Sequence, residues 1–168
     1  HLLGLLMELH KVNVGSWSYP EAAYTKIAGV PLYSGFMYAS VGSYICQAWR
    51  RFSLTIEGWP ASVLVFIIGG AIYINFFTNA FIMDLRWVII PVMLVVFYKT
   101  SVSFSFRGIS MKMPIVISFL LIGFFIWVAE NIATLLGAWK YAYQHNGWQM
   151  VSYHKITSWF LLIVVSII

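Results

Sequence analysis

The stretch ASVLVFIIGGAIYINFFTNAF, residues 61–81, contains no charged side chain. A hydrocarbon core about 30 Å thick needs about 20 apolar residues in a helix to cross it, and this run supplies them. Three further runs on either side read the same way. Val30–Trp49 closes on Arg50–Arg51. Trp87–Phe106 follows the Asp84–Arg86 turn and carries Lys99 near its end, where a long stem reaches the interface. Pro91 is expected to bend that helix. Met113–Leu136 is interrupted only by Glu130 and Asn131. Residues 1–9 read as the tail of one more span and Ile156–Ile168 as the start of another. The expectation is an all-α fold, a polytopic transmembrane helix bundle of about six spans forming a single domain over residues 1–168. The chain starts at His1 and stops inside an apolar run, so a fragment of a longer protein is expected. The first residues lack the basic leader and small-residue cleavage site of a signal peptide.

Composition points to the same solvent. Hydrophobic residues make up 61% of the 168 and charged ones 9%, against about 25% charged in a soluble domain. Trp17, Tyr19, Trp49, Trp59, Trp87, Trp139 and Trp148 cluster near the ends of apolar runs, as rings that prefer headgroup depth do. The net charge of +5 comes from scattered or paired basic residues rather than a stripe. They read as membrane-orienting charges, and no nucleic-acid partner is expected. A single cysteine, Cys46, excludes a disulfide within the chain and any metal-type Cys spacing. If every run crosses once, Lys and Arg divide evenly: 11, 26, 86, 140 and 155 on one face, 50, 51, 99, 107 and 112 on the other. The second group is the more tightly clustered, which favours the cytoplasmic side for it.

Two segments repeat a pattern. Glu8-x6-Gly15-x-Trp17-x-Tyr19 is matched by Glu130-x6-Gly137-x-Trp139-x-Tyr141. Each Glu precedes its Gly by about two helical turns, roughly 10 Å. The glycines suit a helix end or a close neighbour. Repeat-like segments 8–49 and 130–168 follow, in parallel orientation if four crossings separate them. A carboxylate at membrane depth costs about 2.5–3.5 kcal/mol, so Glu8 and Glu130 are the candidate catalytic residues. The candidate binding residues around them are His10, Trp17, Tyr19, Asn75, Asn79, Asn131, Trp139, Tyr141, His154 and Lys155, with Lys11 a further partner for the acids. The competing reading is a hydrogen-bonded pair that locks helices together. His10 and His154 lack ligand spacing, so no metal site and no cofactor are expected. No Gly-x-Ser-x-Gly, Walker loop or dinucleotide fingerprint is present.

Residues 8–21 (ELHKVNVGSWSYPE), 29–44 (GVPLYSGFMYASVGSY) and 129–139 (AENIATLLGAW) resemble the bacterial YoaT-like membrane family, domain of unknown function eight-one-seven. The resemblance covers nearly the whole chain. It implies a multi-pass protein of the bacterial cytoplasmic (inner) membrane and brings no activity. The stretch from Glu8 to about Tyr38 is also similar to the carotenoid hydratase and heterodimeric lycopene cyclase membrane enzymes. Those place a Glu before a Gly and an aromatic-rich segment, then Gly-Val-Pro and another span.

Three functions compete. In the first, a membrane-embedded enzyme acts on a hydrophobic isoprenoid or lipid substrate. Glu8 and Glu130 then serve as general acid and cation-stabilising carboxylate beside the Trp17 and Trp139 faces. The second is a proton-coupled small-molecule transporter, with Pro91 and Gly69–Gly70 as helix breaks. The third is a non-catalytic assembly module. The expected partners are the lipid bilayer and a hydrophobic small molecule. The sequence leaves the oligomeric state open.

Overall fold

The computed structural model describes residues 2–167. Six α-helices run through them: α1 (Leu2–Asn13), α2 (Tyr33–Arg51), α3 (Ser62–Thr78), α4 (Arg86–Phe97), α5 (Ile115–Leu135) and α6 (His154–Ile167). Between them lie β1 (Trp17–Ser18), β2 (Lys26–Ile27), β3 (Val30–Pro31), β4 (Thr55–Glu57), β5 (Ser101–Phe106), β6 (Ile109–Pro114) and β7 (Lys140–Tyr141). The strands form three small antiparallel sheets, β1–β7, β2–β3 and β4–β5–β6.

The six-span all-α bundle is therefore corrected. Among the described residues only α5, with 21 residues, is long and apolar enough to cross a membrane. α4 stops after 12 residues, about 18 Å, because the apolar run 87–106 changes period within itself. Its second part alternates as Ser-Val-Ser-Phe-Ser-Phe, which suits a half-buried strand. Arg107 and Gly108 both take positive φ, 51° and 81°. They close a two-residue turn of the I′ kind onto β6. The run 30–49 opens on strand β3, and its helix α2 carries Ser34, Gly35, Ser40, Gly42, Ser43 and Gln47. α3 holds 17 residues, α6 14 and α1 12. A multi-pass arrangement accordingly lacks support, and one apolar helix remains as the sign of a membrane.

The chain divides into two compact units. One comprises His1–Tyr44 and Trp127–Ser152, the other Ile45–Ile126 and Tyr153–Ile168. The second has an ordinary apolar core, including Ile68, Ile72, Met93, Phe97, Phe119 and Ile163. There the ring of Phe97 meets Phe119 at 6.2 Å and Trp59 at 5.5 Å between centres. A Cβ on Gly123 of α5 would lie 3.0 Å from the backbone nitrogen of Phe160 in α6, so that glycine sets how closely the two helices pack. The first unit differs in kind. Beside Met7, Tyr19, Val30 and Tyr141 it buries Glu8, Lys11, Glu130, Thr134 and Gln144.

Candidate functional site

The two glutamates stand on helices that end in the same way. Gly15 donates its N–H to the Val12 carbonyl at 3.0 Å, and Ser16 donates to Lys11 at 2.9 Å. Gly137 donates to Thr134 at 3.1 Å, and Ala138 to Ala133 at 3.0 Å. Both pairs are the 5→2 and 6→1 bonds of a Schellman cap, whose left-handed residue is a glycine. Here φ is 72° at Gly15 and 82° at Gly137. Past each cap the chain turns into a two-residue strand, and the strands pair antiparallel with Trp17 opposite Tyr141 and Ser18 opposite Lys140. The pairing puts the Trp of one copy against the Tyr of the other. Their rings meet edge-on at 6.1 Å.

Glu8 is 3% exposed and accepts three hydrogen bonds. Trp17 Nε1–H reaches Oε2 at 2.8 Å, the Tyr19 hydroxyl reaches Oε2 at 2.7 Å, and the Tyr38 hydroxyl reaches Oε1 at 2.8 Å. Every contact comes from an O–H or N–H donor, as an acceptor-only carboxylate requires. Lys11, buried one turn further along α1, belongs to the same interior. Glu130 is 4% exposed and takes the Tyr141 hydroxyl, while Trp139 hydrogen-bonds the side chain of Tyr141. In each copy the tyrosine eleven residues after the glutamate turns back onto it.

Burial, reinforced by the neighbouring carboxylate, holds these phenols far above their ordinary value of 10.0. Burial and Glu8 act on Tyr19, and burial and Glu130 act on Tyr141. On Tyr38 burial leads, followed by the charge of Glu8 and then that of Glu130. Tyr38 therefore lies within the field of both acids.

Tyr38 is the residue that sequence reasoning missed. It sits on α2, 30 positions from Glu8, and its ring rests on Gly4. A Cβ on Gly4 would lie 2.8 Å from Tyr38 Cδ2. Gly4 is one helical turn before Glu8 on the same face, and that missing side chain was the available signal.

The other candidates have separate places. Asn131 holds the segment after β7: its Nδ2 donates to the Trp127 carbonyl and its Oδ1 accepts from Val151 N–H, both at 2.8 Å. His10 is half-buried on α1, and its carbonyl accepts the Val14 N–H. Asn75, Asn79, His154 and Lys155 belong to the second unit. Asn75 is buried there and bridges Asp84 Oδ1 at 3.0 Å and Leu85 N–H at 2.7 Å. Burial works against ionisation of Asp84, yet hydrogen bonds from Asn75 and Arg86 and the Arg86 charge prevail and lower its value. Arg86 Nη1 also reaches the His154 carbonyl at 3.3 Å and Ser158 Oγ at 3.0 Å. That cluster ties α3, α4 and α6 together at one end. Asn79 caps α3, its N–H on the Asn75 carbonyl. The His154 ring packs edge-on against Trp87 at 6.0 Å. Lys155 follows it in the first turn of α6. Among the described residues no group of three or more His, Cys, Asp and Glu could hold a metal ion.

Residues 1–167 match the family profile described as "Protein of unknown function (DUF817)". The chain is also similar to the Bacillus subtilis (strain 168) protein described as "Uncharacterized protein YoaT", with 54% identity over 166 residues. That alignment takes in 99% of this chain and 63% of the relative, so the chain spans less than two thirds of the relative's length. No solved structure matches it.

Proposed function

The chain belongs to the DUF817 family, and from that premise we propose a membrane-bound enzyme that acts on a hydrophobic substrate, of isoprenoid or lipid class, through Glu8 and Glu130. The observation that carries this reading is the nearly complete burial of Glu8 with Trp17, Tyr19 and Tyr38 all donating to it. Donors engage both carboxylate oxygens, Trp17 and Tyr19 on Oε2 and Tyr38 on Oε1. Three converging donors fix a carboxylate's position and direction, which is what acid–base or cation-stabilising chemistry requires. Aromatic faces around the carboxylates suit a cationic intermediate in a hydrocarbon skeleton. The proposed location is a bacterial cytoplasmic membrane, crossed by α5. Its 21 residues span about 31 Å, close to the hydrocarbon thickness of about 30 Å. Apolar side chains turned outward on α3 and α5, Phe66, Ile67 and Phe125 among them, suit contact with lipid rather than water.

The test is to purify the full-length protein in mild detergent and identify retained small molecules by mass spectrometry, with Glu8→Gln and Glu130→Gln alongside. A polyisoprenoid or lipid retained by the parent protein and lost or altered in the variants is the expected result. Unchanged retention, with an unchanged lipid and pigment profile in producing cells, sinks the enzyme. A second reading, a proton-coupled carrier, draws on two carboxylates, Glu8 and Glu130, both held inside the fold. Solute uptake into proteoliposomes that needs both a proton gradient and Glu130 would select it.

A further inference from the structure

The β4–β5–β6 sheet has two unlike faces. Cross-strand neighbours Val102–Met113, Phe104–Met111 and Phe106–Ile109 share one of them, continued by Ile56 of β4. Ser101, Ser103, Ser105, Ser110 and Lys112 occupy the other. The apolar face is buried at its root, at Val102, and emerges at the hairpin tip, where Ile109 is 65% exposed and Phe106 and Met111 are also exposed. An exposed apolar tip on a narrow hairpin is costly in water.

Basic charge runs the length of the sheet: Arg107 forms the tip, Lys112 stands opposite Ser103 partway down, and Lys99 precedes β5 at the root. Segments 50–57 and 99–112 carry Arg50, Arg51, Lys99, Arg107 and Lys112 against one acid, Glu57. Glu57 is paired with Lys112 at 2.6 Å. Arg107 forms the turn itself, its guanidinium 5.4 Å from the Phe106 ring centre. The end of α2 is fastened to the tip: Ser105 N–H donates to the Phe52 carbonyl at 2.8 Å, and the Phe52 and Phe106 rings lie 6.1 Å apart. That contact brings Arg51 alongside. The sheet also leads directly into the crossing helix, since β6 ends at Pro114 and α5 begins at Ile115.

We propose that this amphipathic basic hairpin is a docking surface for the anionic headgroups of a lipid bilayer, with its apolar tip seated at the acyl boundary. Charge complementarity selects the occupant: an apolar wedge flanked by Arg107 and by Arg51 matches a negatively charged leaflet. Each basic side chain near such a surface favours it by a factor of about five. The proposal fixes orientation as well. The N-terminal end of α5 faces the anionic, cytoplasmic leaflet. It rests on the membrane reading of α5, and the experiment separates the two.

The full-length chain with Cys46→Ser and Ile109→Cys carries an environment-sensitive fluorophore at the tip. It is reconstituted into vesicles of phosphatidylcholine, with or without phosphatidylglycerol. The expected result is blue-shifted emission and shielding from an aqueous quencher only in the anionic vesicles, declining as salt is raised. Combined Arg50→Ala, Arg51→Ala and Arg107→Ala substitutions should abolish that difference, and the three corresponding lysine substitutions should keep it. Equal quenching in both vesicles overturns the proposal. So does pyrene excimer emission at position 109 that grows with protein density, because a second copy would then occupy the open edge of β6. Failure to incorporate into either vesicle overturns the membrane reading of α5 along with it.

Discussion

Tyr38 reaches Glu8 across Gly4, where a Cβ would meet its ring, so the two positions are energetically coupled. Tyr38→Phe removes a hydrogen bond to a buried carboxylate, worth about 1–3 kcal/mol. Gly4→Ala forces the ring away from a contact that would measure 2.8 Å, at a cost of about 1–3 kcal/mol. Thermal unfolding in detergent should show both losses. The double variant should lose somewhat less than their sum, since displacing the phenylalanine ring still costs the overpacking but no longer costs the hydrogen bond. The buried phenols also set a pH dependence. Tyr19, Tyr38 and Tyr141 are all raised above 10.0 in the fold. Their contribution is therefore complete below about pH 10 and lost as pH climbs beyond it, where the unfolded phenols ionise and the folded ones resist. The unfolding temperature should drop between pH 9 and 11 more steeply for the parent than for Tyr19→Phe. The glutamates with Trp17, Tyr19 and Tyr141 were legible in the sequence because their spacing is local and repeated. Tyr38 was not, because its contact crosses from one helix to another and leaves no periodic trace.

The helix ends and turns make a second set of predictions. Gly15 and Gly137 have positive φ and open space where a Cβ would go. Alanine at either should cost about 1–2 kcal/mol through backbone conformation alone, and nearly equally at both. Gly58 is different. Its φ is 69°, and a Cβ there would meet the Lys99 carbonyl oxygen at 2.7 Å. Its own carbonyl also accepts the Thr100 hydroxyl at 2.9 Å. Gly58→Ala should thus cost about 2–5 kcal/mol, strain and overpacking together, measured by the same unfolding assay. The hairpin was the largest misreading at this scale. Twenty consecutive mostly apolar residues, 87–106, satisfy a hydropathy window, and such a window ignores the change from a helical period to alternation at Ser101. The Arg107–Gly108 turn carried information that length alone concealed.

At the scale of the molecule, the proposed crossing by α5 can be tested at its exposed midpoint. Phe125, at the midpoint of α5, is 66% exposed. Phe125→Arg should weaken membrane insertion by about 2.5–3.5 kcal/mol, whereas Leu136→Arg beyond the helix end should cost far less. The share of protein recovered in alkali-washed membranes checks the contrast. Composition pointed to lipid as the solvent, but it could not count crossings. Short helices, bent segments and strands can all be built from the same apolar alphabet. The pairing of Trp17 with Tyr141 has a further consequence, and it concerns time. At roughly 5–20 residues per second, a ribosome needs on the order of 6–25 s to travel from residue 17 to residue 141. Throughout that interval the first half of the cluster exists without its counterpart. Glu8 can gather Trp17, Tyr19 and Tyr38 early, but the edge of β1 stays open until β7 emerges. Synthesis thus leaves a strand edge exposed in the nascent chain, and a chain truncated before residue 140 would keep it, ready to pair with the wrong neighbour.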